Sequence, residues 1–202
     1  MDFELAKVLA GLGGIVAGVG VLINWIATLV GAILIYLGLS EYARQLGDST
    51  ARDNATRWLI YVAFASVAFT VAYSALGFSL FSLHSLWTWP LAGVAFVVAA
   101  AAWVAGWVLQ VASAYRVRLL LGPLARSTGE GLFRTADTLY WWGSALTIVV
   151  IGVVPLFVAY ILMGIAFLTA SPPGAPAEAT GRGVASPPST PLSAQLAPPR
   201  LP

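Results

Sequence analysis

The sequence predicts an all-α, polytopic transmembrane helical bundle of about five spans, followed by a disordered C-terminal tail. Three observations carry this. Only 9% of the 202 residues are charged and 59% are hydrophobic, with a mean hydropathy of +0.88, whereas a water-facing domain carries about 25% charged residues. Asp, Glu, Lys and Arg are absent from Val8 to Ser40, from Trp58 to Tyr115 and from Thr138 to Ala177. Nine of the twelve prolines fall after Ser171. A hydrocarbon core of ~30 Å takes about 20 apolar residues in a helix. Lipid leaves the backbone no partner but itself, and weak period-2 alternation argues against a barrel.

Taken in order, the first run holds 33 uncharged residues, which as one helix would be ~50 Å long at ~1.5 Å per residue. A tight hairpin fits better: one span ending near Gly20, a turn at Asn24-Trp25, and a second span ending near Ser40. The five glycines from Gly11 to Gly20 weaken a continuous helix, and Trp25 would stand in an interfacial aromatic belt. Read as a single helix, this run would leave four spans. The middle run supplies two: Trp58–Gly77, then a Ser- and aromatic-rich connection from Phe78 to Pro90, then Leu91 to about Leu121, stopped by Gly122-Pro123. Thr50 followed by Asp53 resembles a capping box opening the third span. The last span covers about Thr138 to Thr169, with Pro155 as a kink. Trp58 and Tyr61, and Tyr140, Trp141 and Trp142, read as interface anchors.

Residues 1–170 therefore form the bundle and 171–202 a Pro/Ala/Ser-rich tail with too little hydrophobic mass to fold. Arg44, Arg52 and Arg57 lie in one loop and Arg116, Arg118, Arg126 and Arg134 in another, with none in the connection between them. The positive-inside rule makes loops 41–57 and 116–137 cytoplasmic in a multi-pass cell-membrane protein, and five spans then put the tail outside. The sequon Asn54-Ala55-Thr56 would stay bare on that side. The partners expected are the lipid bilayer and other membrane proteins, or a second copy in a homo-oligomer. Ten basic residues scattered over loops and tail make no nucleic-acid patch.

No catalytic, cofactor or metal residues emerge. Cysteine is absent and His84 is the single histidine, so no triad or His-His pair can form. The spans carry no ionisable group in their middles, which argues against proton or ion coupling. What stands out is small residues at helical spacing. Ala95, Ala99, Ala102, Gly106, Gln110 and Ser113 line the fourth span. Ala63, Ser66, Thr70, Ser74 and Gly77 line the third. Ala145, Gly152, Ala159 and Ala166 recur every seven residues in the last. Such faces pack helices closely in lipid; alternatively Ser66, Thr70, Ser74 and Gln110 would line a pathway, with Gly106 and Gly152 as close-approach points. The reading is a non-enzymatic auxiliary or scaffold component of a prokaryotic membrane, with a channel or transporter for a small neutral solute as the alternative.

Two stretches, GAILIYLGLSEYARQLGDSTARDNATR from Gly31 to Arg57 and LFRTADTLYWWGSALTIVVIGVVPLFVAYILMGIAFLTA from Leu132 to Ala170, carry a resemblance. They share an apolar helix running into a polar Tyr-containing segment, a Gly-Asp-Ser turn before an Asn-Ala helix start, and a closing helix with Ile151-Gly152 and Ala166-Phe167. In these the chain resembles an uncharacterised, largely archaeal prokaryotic integral-membrane family, domain of unknown function 996, across most of residues 5–170. The resemblance implies a multi-span bundle and brings no activity, cofactor or catalytic residue with it.

Overall fold

Asn24 breaks the first apolar run into two helices. In the computed structural model, which describes residues 3–45, 47–82 and 89–170, α1 (Phe3–Ile23) and α2 (Trp25–Gln45) meet there. The Asn24 Oδ1 accepts the Ile26 N–H at 2.9 Å, satisfying a free donor at the start of α2. Glycine then lets the pair close: a Cβ on Gly31 would lie 2.2 Å from the Ala17 nitrogen, so the two backbones touch.

Four more helices follow: α3 (Ser49–Ser82), α4 (Trp89–Thr128), α5 (Leu132–Leu146) and α6 (Val153–Thr169). No strand occurs among the described residues. Each helix runs antiparallel to the next, giving three hairpins. The pairings that fix this are Tyr36 with Thr56, Ser79 with Ala92, Gln110 with Ser144 and Phe133 with Phe167. The ring closes where α6 returns along α1, with Gly14 against Gly164 and Gly11 beneath Leu168. Four helices, α1 to α4, are long and apolar enough to cross a membrane, and α6 is a shorter apolar helix.

Several boundaries differ from the sequence reading. Asp48, not Thr50, caps α3, its Oδ1 accepting the Ala51 N–H at 3.0 Å. The helix also runs on past Gly77 to Ser82; His84 and Trp87 lie outside the described residues. Gly122-Pro123 does not end α4, because Leu124 still packs into the core. The helix instead closes at Thr128, whose hydroxyl donates to the Leu124 carbonyl, ahead of Gly129 at φ 68°.

The largest correction concerns the closing span, which is a helical hairpin. Pro155 has no N–H to give the carbonyl of residue 151 and would clash with it in a continuous helix. It sits instead in the first turn of α6, where that donor is not needed. The turn passes through Val150 at φ 66° and Gly152, whose Cβ would lie 2.1 Å from the Gly143 oxygen. The seven-residue repeat is thereby split between two helices, with Ala159 and Ala166 buried on α6. A second consequence follows for the chain's exit. The Thr169 hydroxyl reaches Glu130 at 3.3 Å, so Ala170 lies at the same end as Phe3 and both Arg-bearing loops. The expectation of a tail leaving opposite those loops rested on one closing span, and the hairpin removes that basis.

All charged residues of the helices gather at this end. The opposite, distal end holds Asn24, the Val150 turn, the end of α3 and the start of α4. At ~1.5 Å per residue, α1 and α2 are about 31 Å long, whereas α3 and α4 reach about 51 and 60 Å. The α3–α4 hairpin therefore stands distally beyond the other two, its far turns exposing Phe78, Phe81, Val94 and Val97.

Candidate functional site, a buried polar junction

Gln110 is the only side-chain amide between Trp58 and Tyr115, and it is buried. An amide there must find partners within the protein. Its Nε2 donates to the Tyr140 hydroxyl at 3.2 Å and lies 3.5 Å from the Ser144 Oγ. Tyr140 is the hub. It also accepts from Trp58 Nε1 at 3.4 Å and contacts the Ser113 Oγ at 3.1 Å and the Tyr160 hydroxyl at 3.2 Å. Trp58, Gln110, Ser113, Tyr140, Ser144 and Tyr160 are all buried. They come from α3, α4, α5 and α6, so one cluster joins four helices through hydrogen bonds.

A phenol has one proton and two lone pairs. Trp58 Nε1 and Gln110 Nε2 can only donate, so they occupy both lone pairs. The Ser113 proton is committed to the Gln110 carbonyl at 2.7 Å. Ser113 and Tyr160 therefore compete for the single Tyr140 proton. The Tyr140 hydroxyl thus has one more contact than it can satisfy at once.

Ser66, Thr70, Ser74, Gly106 and Gly152 do not join it. Thr70 and Ser74 line a cleft of about 330 Å³ at the distal end, together with Asn24, Trp25 and Tyr73. Ser66 is buried and its hydroxyl has no partner. Gly106 receives the Phe69 ring, 3.1 Å from where its Cβ would be, and Gly152 serves the α5–α6 turn. Between cleft and junction lies an aromatic layer: Trp25 stacks on Phe69 at 4.3 Å, and Trp103 meets Phe69 at 5.2 Å and Tyr73 at 5.6 Å. Gln110 lies one turn of α4 beyond Gly106, on the far side of that layer.

Three expected interface anchors are interior residues: Trp25, Trp58 and Tyr140 are all buried, while Trp142 is exposed. The polar atoms of Trp58 and Tyr140 found partners inside the bundle, so no headgroup is needed. Among the described residues, no three His, Cys, Asp or Glu side chains converge as a metal site. Asn54 of the sequon is held within α3, its Oδ1 accepting from Arg116 at 3.2 Å.

The family described as a protein of unknown function (DUF996) matches residues 27–161. The chain belongs to that family. All six junction residues fall inside the DUF996 match, whereas α1 and the end of α6 lie outside it, a narrower reach than residues 5–170. An uncharacterized protein of Methanocaldococcus jannaschii is 26% identical over 174 residues, covering 84% of this chain and 93% of that protein. No solved structure matches this DUF996 chain.

Proposed function

We propose that this DUF996 protein is a non-catalytic auxiliary or scaffold component of a prokaryotic membrane. The observation that carries the reading is the use made of its buried polar groups. Gln110, Ser113, Tyr140, Ser144, Trp58 and Tyr160 are spent on one another across four helices, and the Trp25–Phe69–Trp103 layer separates them from the distal cleft. Polar side chains arranged in this way hold helices together. The α3–α4 hairpin, packed on few sides, is the surface left for neighbours in the bilayer. We also place loops 41–57 and 116–137 in the cytoplasm by their arginines; Ala170, at the same end, then puts the start of the tail there too.

Native mass spectrometry of the protein extracted gently from its own membranes tests this. A stoichiometric protein partner is expected. Its absence, with a homo-oligomer that retains a discrete small molecule, would overturn the scaffold reading. A second reading, a channel for a small neutral solute, draws on Thr70 and Ser74 in the distal cleft. It requires solute flux in liposomes that is lost in a folded Thr70→Leu or Ser66→Leu variant.

A further inference from the structure

At the charged end, α4 and α5 diverge around a cleft of about 410 Å³ lined by Arg118, Gly122, Ala125, Arg126, Arg134, Asp137 and Thr138. The α4 residues lie four, seven and eight positions after Arg118, and the α5 residues three and four after Arg134, so each set shares one helix face. Gly122 and Ala125 keep the floor open between the longer side chains.

The charges here are not locked into ion pairs. Glu41 pairs with Arg44, and Asp53 with Arg57. Arg118, Arg126 and Arg134, by contrast, have no carboxylate within 4.0 Å among the described residues. None of the three guanidiniums donates a hydrogen bond among the described residues either. Opposite them, Asp137 Oδ1 is buried with no hydrogen-bond partner. A cleft with three guanidiniums in no ion pair, Arg118 within electrostatic reach of Asp137, and a carboxylate oxygen without a hydrogen-bond partner has both an anion and a donor to accommodate. Its height completes the argument. Arg116 and Arg118 are the first charges after the uncharged run ending at Tyr115, which sets the cleft where hydrocarbon gives way to headgroups.

We propose that this cleft binds the phosphodiester headgroup of a membrane lipid. Arg118, Arg126 and Arg134 hold the phosphate, and the half-buried Asp137 carboxylate, through the part that lines the cleft, accepts a hydrogen bond from a hydroxyl or ammonium on the head alcohol. Guanidinium forks match phosphate oxygens two at a time, and basic pockets between membrane helices on one face of the bilayer suit such heads. Free phosphate shares this chemistry, since its own P–O–H can donate to Asp137, but it lacks the acyl chains that a site at the edge of the hydrocarbon would also hold.

The test titrates the full chain in detergent micelles with phosphatidylglycerol, phosphatidic acid, phosphatidylcholine and inorganic phosphate, following bound lipid by native mass spectrometry. One saturable phosphatidylglycerol per chain is expected, with weaker phosphatidylcholine. Arg118→Gln and Arg134→Gln, measured separately, should each weaken it about fivefold. Arg52→Gln, outside the cleft, should leave it unchanged. Asp137→Asn should keep the phosphate grip and narrow the preference for phosphatidylglycerol over phosphatidic acid. Displacement of the lipid by millimolar inorganic phosphate would overturn the lipid source and assign the arginines to a soluble anion. Unchanged binding in both cleft variants, or an equal loss in Arg52→Gln, would overturn the site. If one cleft variant fails to fold, the other decides, since Arg118 and Arg134 lie on different helices.

Discussion

Removing the Tyr140 hydroxyl should cost far more than removing the Tyr160 hydroxyl, although the two rings pack 5.3 Å apart and both are buried. In Tyr140→Phe, Trp58 Nε1 loses its hydrogen-bond partner at the junction, and an orphaned buried donor costs about 1–3 kcal/mol. Gln110 keeps Ser144 at 3.5 Å as a weaker alternative. The lost bonds from Gln110 and to Ser113 or Tyr160 add about 0.6 kcal/mol each, the usual value between membrane helices. The sum is about 2–4 kcal/mol. Tyr160→Phe removes one of two competitors for a single proton and orphans nothing, so about 0.6 kcal/mol or less is expected. Reversible unfolding in mixed micelles, followed by tryptophan fluorescence, measures both. A Gln110→Leu/Tyr140→Phe double-mutant cycle should show strong coupling, because both variants break the same contact. Equal losses in the two Tyr→Phe variants would refute the hub assignment, as would additivity in the cycle.

Other perturbations separate packing from local conformation. Gly14→Ala puts a Cβ 2.5 Å from the Gly164 Cα; it should destabilise by about 1–3 kcal/mol in the same unfolding assay. Gly77→Ala meets nothing within 4 Å and should stabilise α3 by about 0.5–1 kcal/mol. Val150→Gly relieves a β-branched residue at φ 66° and should raise the thermal midpoint, by about 1 kcal/mol of stability. Asn24→Ala, which removes the cap on α2, should cost about 1 kcal/mol. The chain has no cysteine, so single cysteines report sidedness directly. Arg52→Cys and Ala170→Cys should label from one face of sealed vesicles and Ile151→Cys should resist label from that face; opposite labelling of the first two would refute the third hairpin.

The bundle was legible wherever charge marked its edges. Runs free of Asp, Glu, Lys and Arg delimit α1–α2 and α3–α4, and the length of the first run with its five glycines signalled the first turn, where Asn24 proves to be the cap. The third hairpin was hidden because both of its helices lie in hydrophobic sequence. Only α5's first turns carry charge, and Gly152 with Pro155 reads equally well as a kink or a turn. Length decides between them only once α6 is seen packing on α1. Of the site, Gln110 and Ser113 were visible on the packing face of the fourth span, with Gln110 also a candidate pathway residue and not part of a junction. Tyr140 and Trp58 were not, because amphipathic aromatics next to charged residues look alike whether their polar atoms meet headgroups or each other. That Arg118, Arg126 and Arg134 form no ion pair among the described residues could not be read either, since sequence spacing alone offers Asp137 as a ready partner.

The even number of helices among the described residues also bears on how the protein enters its membrane. Each hairpin begins and ends at the charged end, and no Asp, Glu, Lys or Arg lies between Val8 and Ser40, Trp58 and Tyr115, or Thr138 and Ala170. Nothing charged in these segments has to be moved through hydrocarbon, the step whose desolvation is most costly. The three hairpins can thus enter one after another as closed units, each with its backbone already satisfied. The junction at Tyr140 can form only after the third has arrived, since Tyr140, Ser144 and Tyr160 all belong to it. Assembly therefore ends with a locking event supplied by the last segment to enter, and a chain truncated before Leu132 would insert its first four helices with Trp58 and Gln110 still lacking partners.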